Sequence, residues 1–130
     1  MKSYIKLLAV LLATMTFLAC KKDETTNTPK ANLQGIYEGQ WGSGSQAPSN
    51  FIKFEFKADG TMKRFDAQGT VIASGSWALN GINFECTYTH SDGQVHKIAG
   101  LYTDFEGIIM GTWGWAPSKA NGGTMELKKK

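Results

Sequence analysis

The chain has 130 residues, which is about one domain, with 15 glycines, 12% aromatic residues and no helical periodicity of useful length past its amino-terminal leader. That combination predicts an all-β protein with many tight turns. The formal charge of +3 comes from both ends: between residues 33 and 127 six basic residues face nine acidic ones, and the lack of a basic patch argues against nucleic acid as a partner.

Lys2 and Lys6 open a positive region, and residues 5–18 are mostly apolar but too short for a comfortable membrane span. Residues 1–19 therefore read as a targeting segment, to be set apart from the fold. Phe17-Leu18-Ala19-Cys20, followed by Lys21-Lys22-Asp23-Glu24, resembles the lipobox of bacterial lipoproteins, in which cleavage leaves an amino-terminal cysteine that carries acyl chains. The charged run resembles the signal that sends lipoproteins of Bacteroidota to the outside of the outer membrane. The resemblance implies palmitate-type acylation of Cys20, membrane lipid as its partner, and a lipid anchor at the bacterial cell surface. An ordinary secretory signal would leave unexplained a cysteine directly after Leu-Ala and before a polar segment. Each buried CH₂ contributes about 0.8 kcal/mol, so two or three chains would anchor the protein where one holds only marginally. Residues 20–32, polar and containing Pro29, read as the lipidated cysteine and its flexible tether.

Residues 33–130 are expected to form one domain. Strand one is predicted over 33–41, with Leu33, Tyr37 and Trp41 inward, and residues 42–50 form a loop of turn formers. Strand two, 51–57, points Ile52, Phe54 and Phe56 inward. After Ala58-Asp59-Gly60 comes strand three, 61–66, in which either Met62 and Arg64 or Phe65 face the core. Beyond Ala67-Gln68-Gly69, residues 71–88 carry the clearest pattern. Val71, Ala73, Gly75, Trp77 and Leu79 alternate with Ile72, Ser74, Ser76 and Ala78, and the alternation resumes at Ile82, Phe84, Cys86 and Tyr88. Asn80-Gly81 suits a two-residue type I′ turn. That turn would set Leu79 opposite Ile82, Trp77 opposite Phe84, Gly75 opposite Cys86 and Ala73 opposite Tyr88.

Ser91-Asp92-Gly93 leads to strand six, 94–102. A three-residue loop turns His96, Ile98, Gly100 and Tyr102 inward, which keeps Lys97 in water; a two-residue Asp-Gly turn would present Val95, Ala99 and Leu101 instead. Strand seven spans 107–113, a second long loop 114–122, and strand eight 123–128 with Met125 and Leu127 inward. No connection has room for a crossover helix, so the fold is a small eight-stranded antiparallel up-and-down β-barrel, whose closure removes exposed edges.

Gly39-Gln40-Trp41, Gly75-Ser76-Trp77 and Gly111-Thr112-Trp113 recur at intervals of 36 residues. A glycine two places before an inward tryptophan leaves its ring space on the same face, a packing device for a tightly curved sheet. A small meander with Gly-x-Trp in its first strand resembles the calycin superfamily, which includes lipocalins. It is most similar to the short lipocalin-like domains of Bacteroidota lipoproteins, over residues 33–128. The resemblance implies that Trp41 packs against a basic residue of the last strand, Lys128, and that Thr103-Asp104-Phe105 is similar to the family's Thr-Asp-Tyr element.

No Gly-x-Ser-x-Gly, phosphate loop or convergent set of carboxylates is present, so the chain reads as non-catalytic and without a cofactor. His90 and His96 flank a turn with Asp92 between them, but two imidazoles make an incomplete metal site. Cys86, on an inward face, reads as an inert core thiol. Alternating turns place the loops at 42–50, 67–69, 91–93 and 114–122 at the end opposite the tether. Trp41, Trp113 and the loop residue Trp115 gather there, and Arg64, if inward, would orient an anionic ligand. Two functions follow: binding of a small amphipathic or aromatic ligand at this mouth, away from the membrane, or a filled barrel serving as a non-catalytic interaction module with a surface-protein partner.

Overall fold

The computed structural model describes residues 33–130. The expected targeting segment, Cys20 and the expected tether lie outside them. The described chain is all-β. Eight strands, β1 (Gly35–Trp41), β2 (Asn50–Phe56), β3 (Thr61–Phe65), β4 (Val71–Asn80), β5 (Asn83–His90), β6 (Val95–Thr103), β7 (Ile108–Trp115) and β8 (Gly123–Lys129), follow one another around a closed antiparallel barrel. β1 pairs with both β2 and β8, so no edge is left open.

Period-2 patterning places the side chains as expected over most of the barrel. Tyr37, Ile52, Phe54, Phe56, Trp77, Phe84, Cys86, Tyr88, Ile98, Tyr102, Ile109, Trp113, Met125 and Leu127 form one buried core with Leu33 and Met62. Edge-on aromatic contacts run along it, from Tyr37 to Phe56 (5.3 Å), Phe56 to Phe84 (5.3 Å) and Phe54 to Tyr88 (5.4 Å). An eight-stranded barrel is just wide enough for its own side chains to fill, and here they fill it.

Three short connections share one construction. In Ala58-Asp59-Gly60, Ala67-Gln68-Gly69 and Ser91-Asp92-Gly93 the third residue is a glycine at φ +87°, +85° and +90°. The residue before each loop donates to the carbonyl of the residue after it: Lys57 to Thr61 (2.9 Å), Asp66 to Thr70 (2.9 Å) and His90 to Gln94 (2.8 Å). This is the three-residue hairpin with a left-handed glycine. The last of the three turns His96, Ile98 and Tyr102 inward, as the three-residue reading of this loop requires.

The β4–β5 hairpin corrects the expected register. Asn80 pairs with Asn83, Leu79 with Phe84, Trp77 with Cys86, Gly75 with Tyr88 and Ala73 with His90. The two loop residues are therefore Gly81 and Ile82, not Asn80 and Gly81. Only Gly81 has positive φ (+62°), the arrangement of a turn with glycine in its first central place rather than a type I′ turn. Pairing moves by two residues, so every side chain keeps its face except Ile82, which becomes an exposed loop residue. A second correction lies at the other end of β4. The β3–β4 register shifts between Arg64 and Phe65, and the extra residue, Ile72, forms a bulge that turns Val71 out to solvent.

The Gly-x-Trp glycines serve curvature in a way different from the one expected. A Cβ on Gly39, Gly75 or Gly111 would strike the backbone of the paired strand, at Glu126–Leu127, Thr87–Tyr88 and Ala99–Gly100 respectively, rather than the tryptophan ring. The strands approach closely where the sheet coils, and only glycine permits it. Lys128 does not pack on Trp41. It is exposed opposite Glu38, while Trp41 pairs with Met125. In the β6–β7 turn the Tyr102 hydroxyl donates to Asp104 (3.2 Å), and Phe105 stands fully in solvent.

Candidate functional site

The odd-numbered connections meet at the end of the barrel opposite the entry of the chain before β1. Backbone bonds join them: Gly42 donates to Thr124 (2.9 Å), Gly44 to Gly122 (2.8 Å), Ser91 to Ile72 (3.3 Å) and Ala116 to Val95 (3.0 Å). The Trp113 indole donates to the Gly42 carbonyl (2.9 Å), pinning the first loop across the last. The last loop is itself tied back, because the Asn121 side chain accepts from the Trp115 backbone (2.9 Å) and the Thr112 hydroxyl donates to Lys119 (2.8 Å).

Trp115 is not on the loop. β7 runs two residues further than the expected end at Trp113, and Trp115 is its last residue, paired with His96. It continues the inward face of Ile109, Gly111 and Trp113. Its ring leans edge-on against Trp113 (5.0 Å) and His96 (5.9 Å) and is 46% exposed, so it forms the rim of the mouth. Trp41 also reaches this rim, at 5.1 Å and 82° to Trp113. All four of the expected ligand-binding residues, Trp41, Arg64, Trp113 and Trp115, thus lie at one end of the barrel.

Arg64 faces inward together with Met62, which resolves the alternative left open for β3. The bulge at Ile72 lies beside it in the ladder. Its guanidinium Nη1 lies 3.5 Å from the Tyr88 hydroxyl and 3.4 Å from His90 Nε2, and the group sits 5.8 Å from the centre of the Tyr88 ring. His90 Nε2 in turn lies 3.0 Å from His96 Nδ1. From the sequence, His96 turns inward and the two histidines stand beside a turn as an incomplete metal site, not joined to Arg64. Their joining could have been foreseen: His90 extends the face of Phe84, Cys86 and Tyr88, and His96 begins the face of Ile98 and Tyr102.

A cavity of about 30 Å³ opens between these groups, lined by Trp41, Ile52, Arg64, Tyr88, His96 and Trp113. Two nitrogens of its lining residues are buried without a partner, Arg64 Nε and His96 Nε2. Burial holds both imidazoles below their ordinary pKa, helped at His90 by the positive charge of Arg64 and at His96 by His90 and then Arg64, with Asp92 opposing, so both favour the neutral form. Burial pushes the Tyr88 phenol up to about 12 and the Cys86 thiol well above its ordinary range, which leaves neither ready to act as a nucleophile. Among the described residues, no group of three or more His, Cys, Asp or Glu side chains converges on a point where a metal ion would sit. Among the described residues, a larger hollow of about 270 Å³ is an open groove on the outer wall, lined by Glu38, Gly39, Gln40, Pro48, Glu126 and Lys128.

No protein-family profile matches the chain, and neither curated proteins nor solved structures give a significant match.

Proposed function

We propose that this protein is a lipid-anchored binding module that takes one end of a small aromatic or amphipathic ligand at the barrel mouth. The observation that carries the reading is the gathering of Trp41, Trp113 and Trp115 around a cavity that also holds the inward Arg64. The half-exposed Trp115 indole is costly to leave in water, and such indoles are effective contacts for rings and chains. The lipobox-like Leu18-Ala19-Cys20 supplies the anchor in this reading, and the chain enters the barrel at the end away from the mouth. Anchoring to the outer membrane would then point the site outward from the bacterial surface. Replacing Cys20 with serine is expected to abolish metabolic labelling with palmitate and to release the protein from the membrane fraction. Undiminished labelling would remove the anchor from the proposal.

A second reading is favoured by the cavity volume. Enclosing a drug-sized ligand takes about 300 Å³ or more, ten times the space found here, so a filled barrel acting as an interaction module of a surface assembly remains the rival. Trp115→Ala separates the two. It should lower the melting temperature by no more than a few degrees, since half the ring is already in solvent. It should weaken binding of ligands recovered with the native protein by at least about 1 kcal/mol, the level at which alanine scans single out a contact. A large loss of stability with binding unchanged would make Trp115 a plug for the barrel end and favour the interaction module.

A further inference from the structure

We infer that the mouth cavity is a receptor for a carboxyl group, held between Arg64 and His96 and bound with the uptake of one proton. The inference rests on the mouth-binding reading and names the chemistry of the ligand's buried end.

The hydrogen positions follow from the chemistry of the groups. A guanidinium has only donors, so His90 Nε2, at 3.4 Å from Arg64 Nη1, is an acceptor and its hydrogen is on Nδ1. His96 Nδ1, at 3.0 Å from the same His90 nitrogen, must then carry a hydrogen and donate it. In a neutral ring that leaves His96 Nε2 as a bare lone pair. This nitrogen is buried and unpartnered on a residue only 9% exposed, in the lining of the cavity that Arg64 also lines. Arg64 contributes an unpartnered N–H at Nε. Two residues of the lining therefore carry one donor and one acceptor, both buried and unsatisfied, a combination that costs stability unless something complements it.

A carboxylic acid is the smallest common group that presents an acceptor oxygen and a donor hydroxyl side by side. Its carbonyl oxygen would accept from Arg64 Nε, and its hydroxyl would meet His96 Nε2. If the proton moves to the imidazole, the pair becomes a carboxylate between guanidinium and imidazolium, with the same composition. Either way the complex holds one proton more than a free carboxylate and a neutral His96. A volume of about 30 Å³ holds on the order of two water molecules. That is room for the two oxygens of a carboxyl group and not for a ring, which would rest outside on Trp41 and Trp115. Other charges facing the cluster are few. β3 brings Arg64, β5 brings Tyr88 and His90, β6 brings His96, and the β5–β6 turn brings Asp92, whose carboxylate accepts from the Gln94 backbone (3.0 Å). The lining residues from β1, β2 and β7 are uncharged.

The sign of the pH dependence follows. His96 is neutral in the free protein, and an anion beside it raises its affinity for a proton. Binding therefore tightens as pH falls through the pKa of the complex towards the lower pKa of free His96.

Phenylacetate and its neutral isostere phenylacetamide test this by isothermal titration calorimetry on the intact folded domain. Phenylacetate should bind with about one proton taken up, measured at pH 6.5–7 as the difference between buffers of unlike ionisation heat. Its affinity should fall at least tenfold between pH 5.5 and 7.5. Phenylacetamide, whose carbonyl and N–H present the same acceptor and donor without a titrating proton, should bind with no proton taken up and no tightening as pH falls. His96→Gln should remove the proton uptake, and Arg64→Met should cost phenylacetate at least tenfold in affinity and phenylacetamide less, since only the acid can place a carboxylate against the guanidinium. Binding of the acid with no proton taken up, or a pH dependence shared by the amide, would overturn the carboxyl receptor and leave the mouth reading standing. Failure of both to bind at millimolar concentration would overturn the receptor and weigh against the mouth itself.

Discussion

Replacing Trp77 with alanine is expected to destabilise the barrel by about 3–5 kcal/mol, the range for truncating a fully buried aromatic side chain. Its indole lies in the core, 6.1 Å from the Phe56 ring, and its N–H donates to the Lys57 carbonyl at 2.9 Å. Trp77 therefore fills the core and clamps the β2–β3 turn, whose Gly60 carbonyl also accepts from the Trp77 backbone at 2.9 Å. The carbonyl of Lys57 keeps a second partner, Gly60 N–H at 3.1 Å, so most of the loss should come from the cavity and little from the hydrogen bond. Trp77→Phe should then recover more than half the loss. In a domain of this size 3–5 kcal/mol corresponds to a fall in melting temperature of at least about 12 °C. A loss below about 1 kcal/mol in denaturant melts would place Trp77 outside the core.

Facing was legible in the residues because a strand has a period of two, and large apolar side chains on one face have nowhere else to go. Phe54, Phe56, Phe84, Tyr88, Met125 and Leu127 all point as alternation requires. Register was less legible for the same reason. A slip of two residues leaves every face unchanged, so the pattern from Val71 to Tyr88 is satisfied equally by a turn at Asn80-Gly81 or at Gly81-Ile82. The deciding difference, an exposed Ile82, runs against the usual preference for burying isoleucine. A bulge is harder still to read: Ile72 has nothing in its neighbourhood to mark it, yet it sets the end of β4 and turns out Val71.

The mouth was half legible. Counting alternate turns was enough to collect Trp41, Trp113 and Trp115 at one end. The fault lay in stopping β7 at Trp113, because Gly114 and Pro117 look like loop residues, whereas Asn121 holds the strand through Trp115. The polar cluster draws on three strands. The inward faces of β5 and β6 point to His90 and His96, but Arg64 joins them only when the barrel brings β3 to face β5 and β6, and the spacing along the chain carries no sign of that. Such clusters run against the apolar filling of a small barrel, and the same departure is what makes the site stand out.

The second large effect is expected from adding one methyl group. Gly75→Ala puts a Cβ against the Thr87 carbonyl and the Tyr88 Cα of the adjoining strand, and neither can move unless the strands part. Overpacking of side chains in a core costs about 1–3 kcal/mol. Here the obstacle is backbone in a closed ladder, so a cost of at least about 3 kcal/mol is expected, with disturbance passed to Tyr88 at the mouth. Gly69→Ala is the matching control. Its Cβ would meet nothing within 4 Å, but its φ of +85° is unfavourable for an L side chain, at about 1–2 kcal/mol. The two substitutions thus separate close approach from backbone conformation. Chemical denaturation of both variants should show Gly75→Ala as clearly the more damaging, and Gly111→Ala, whose Cβ would meet Ala99 and Gly100, should behave like it. If Gly75→Ala costs no more than Gly69→Ala, then the glycines before the tryptophans are not there to let strands approach, and the 36-residue recurrence of Gly-x-Trp needs another cause.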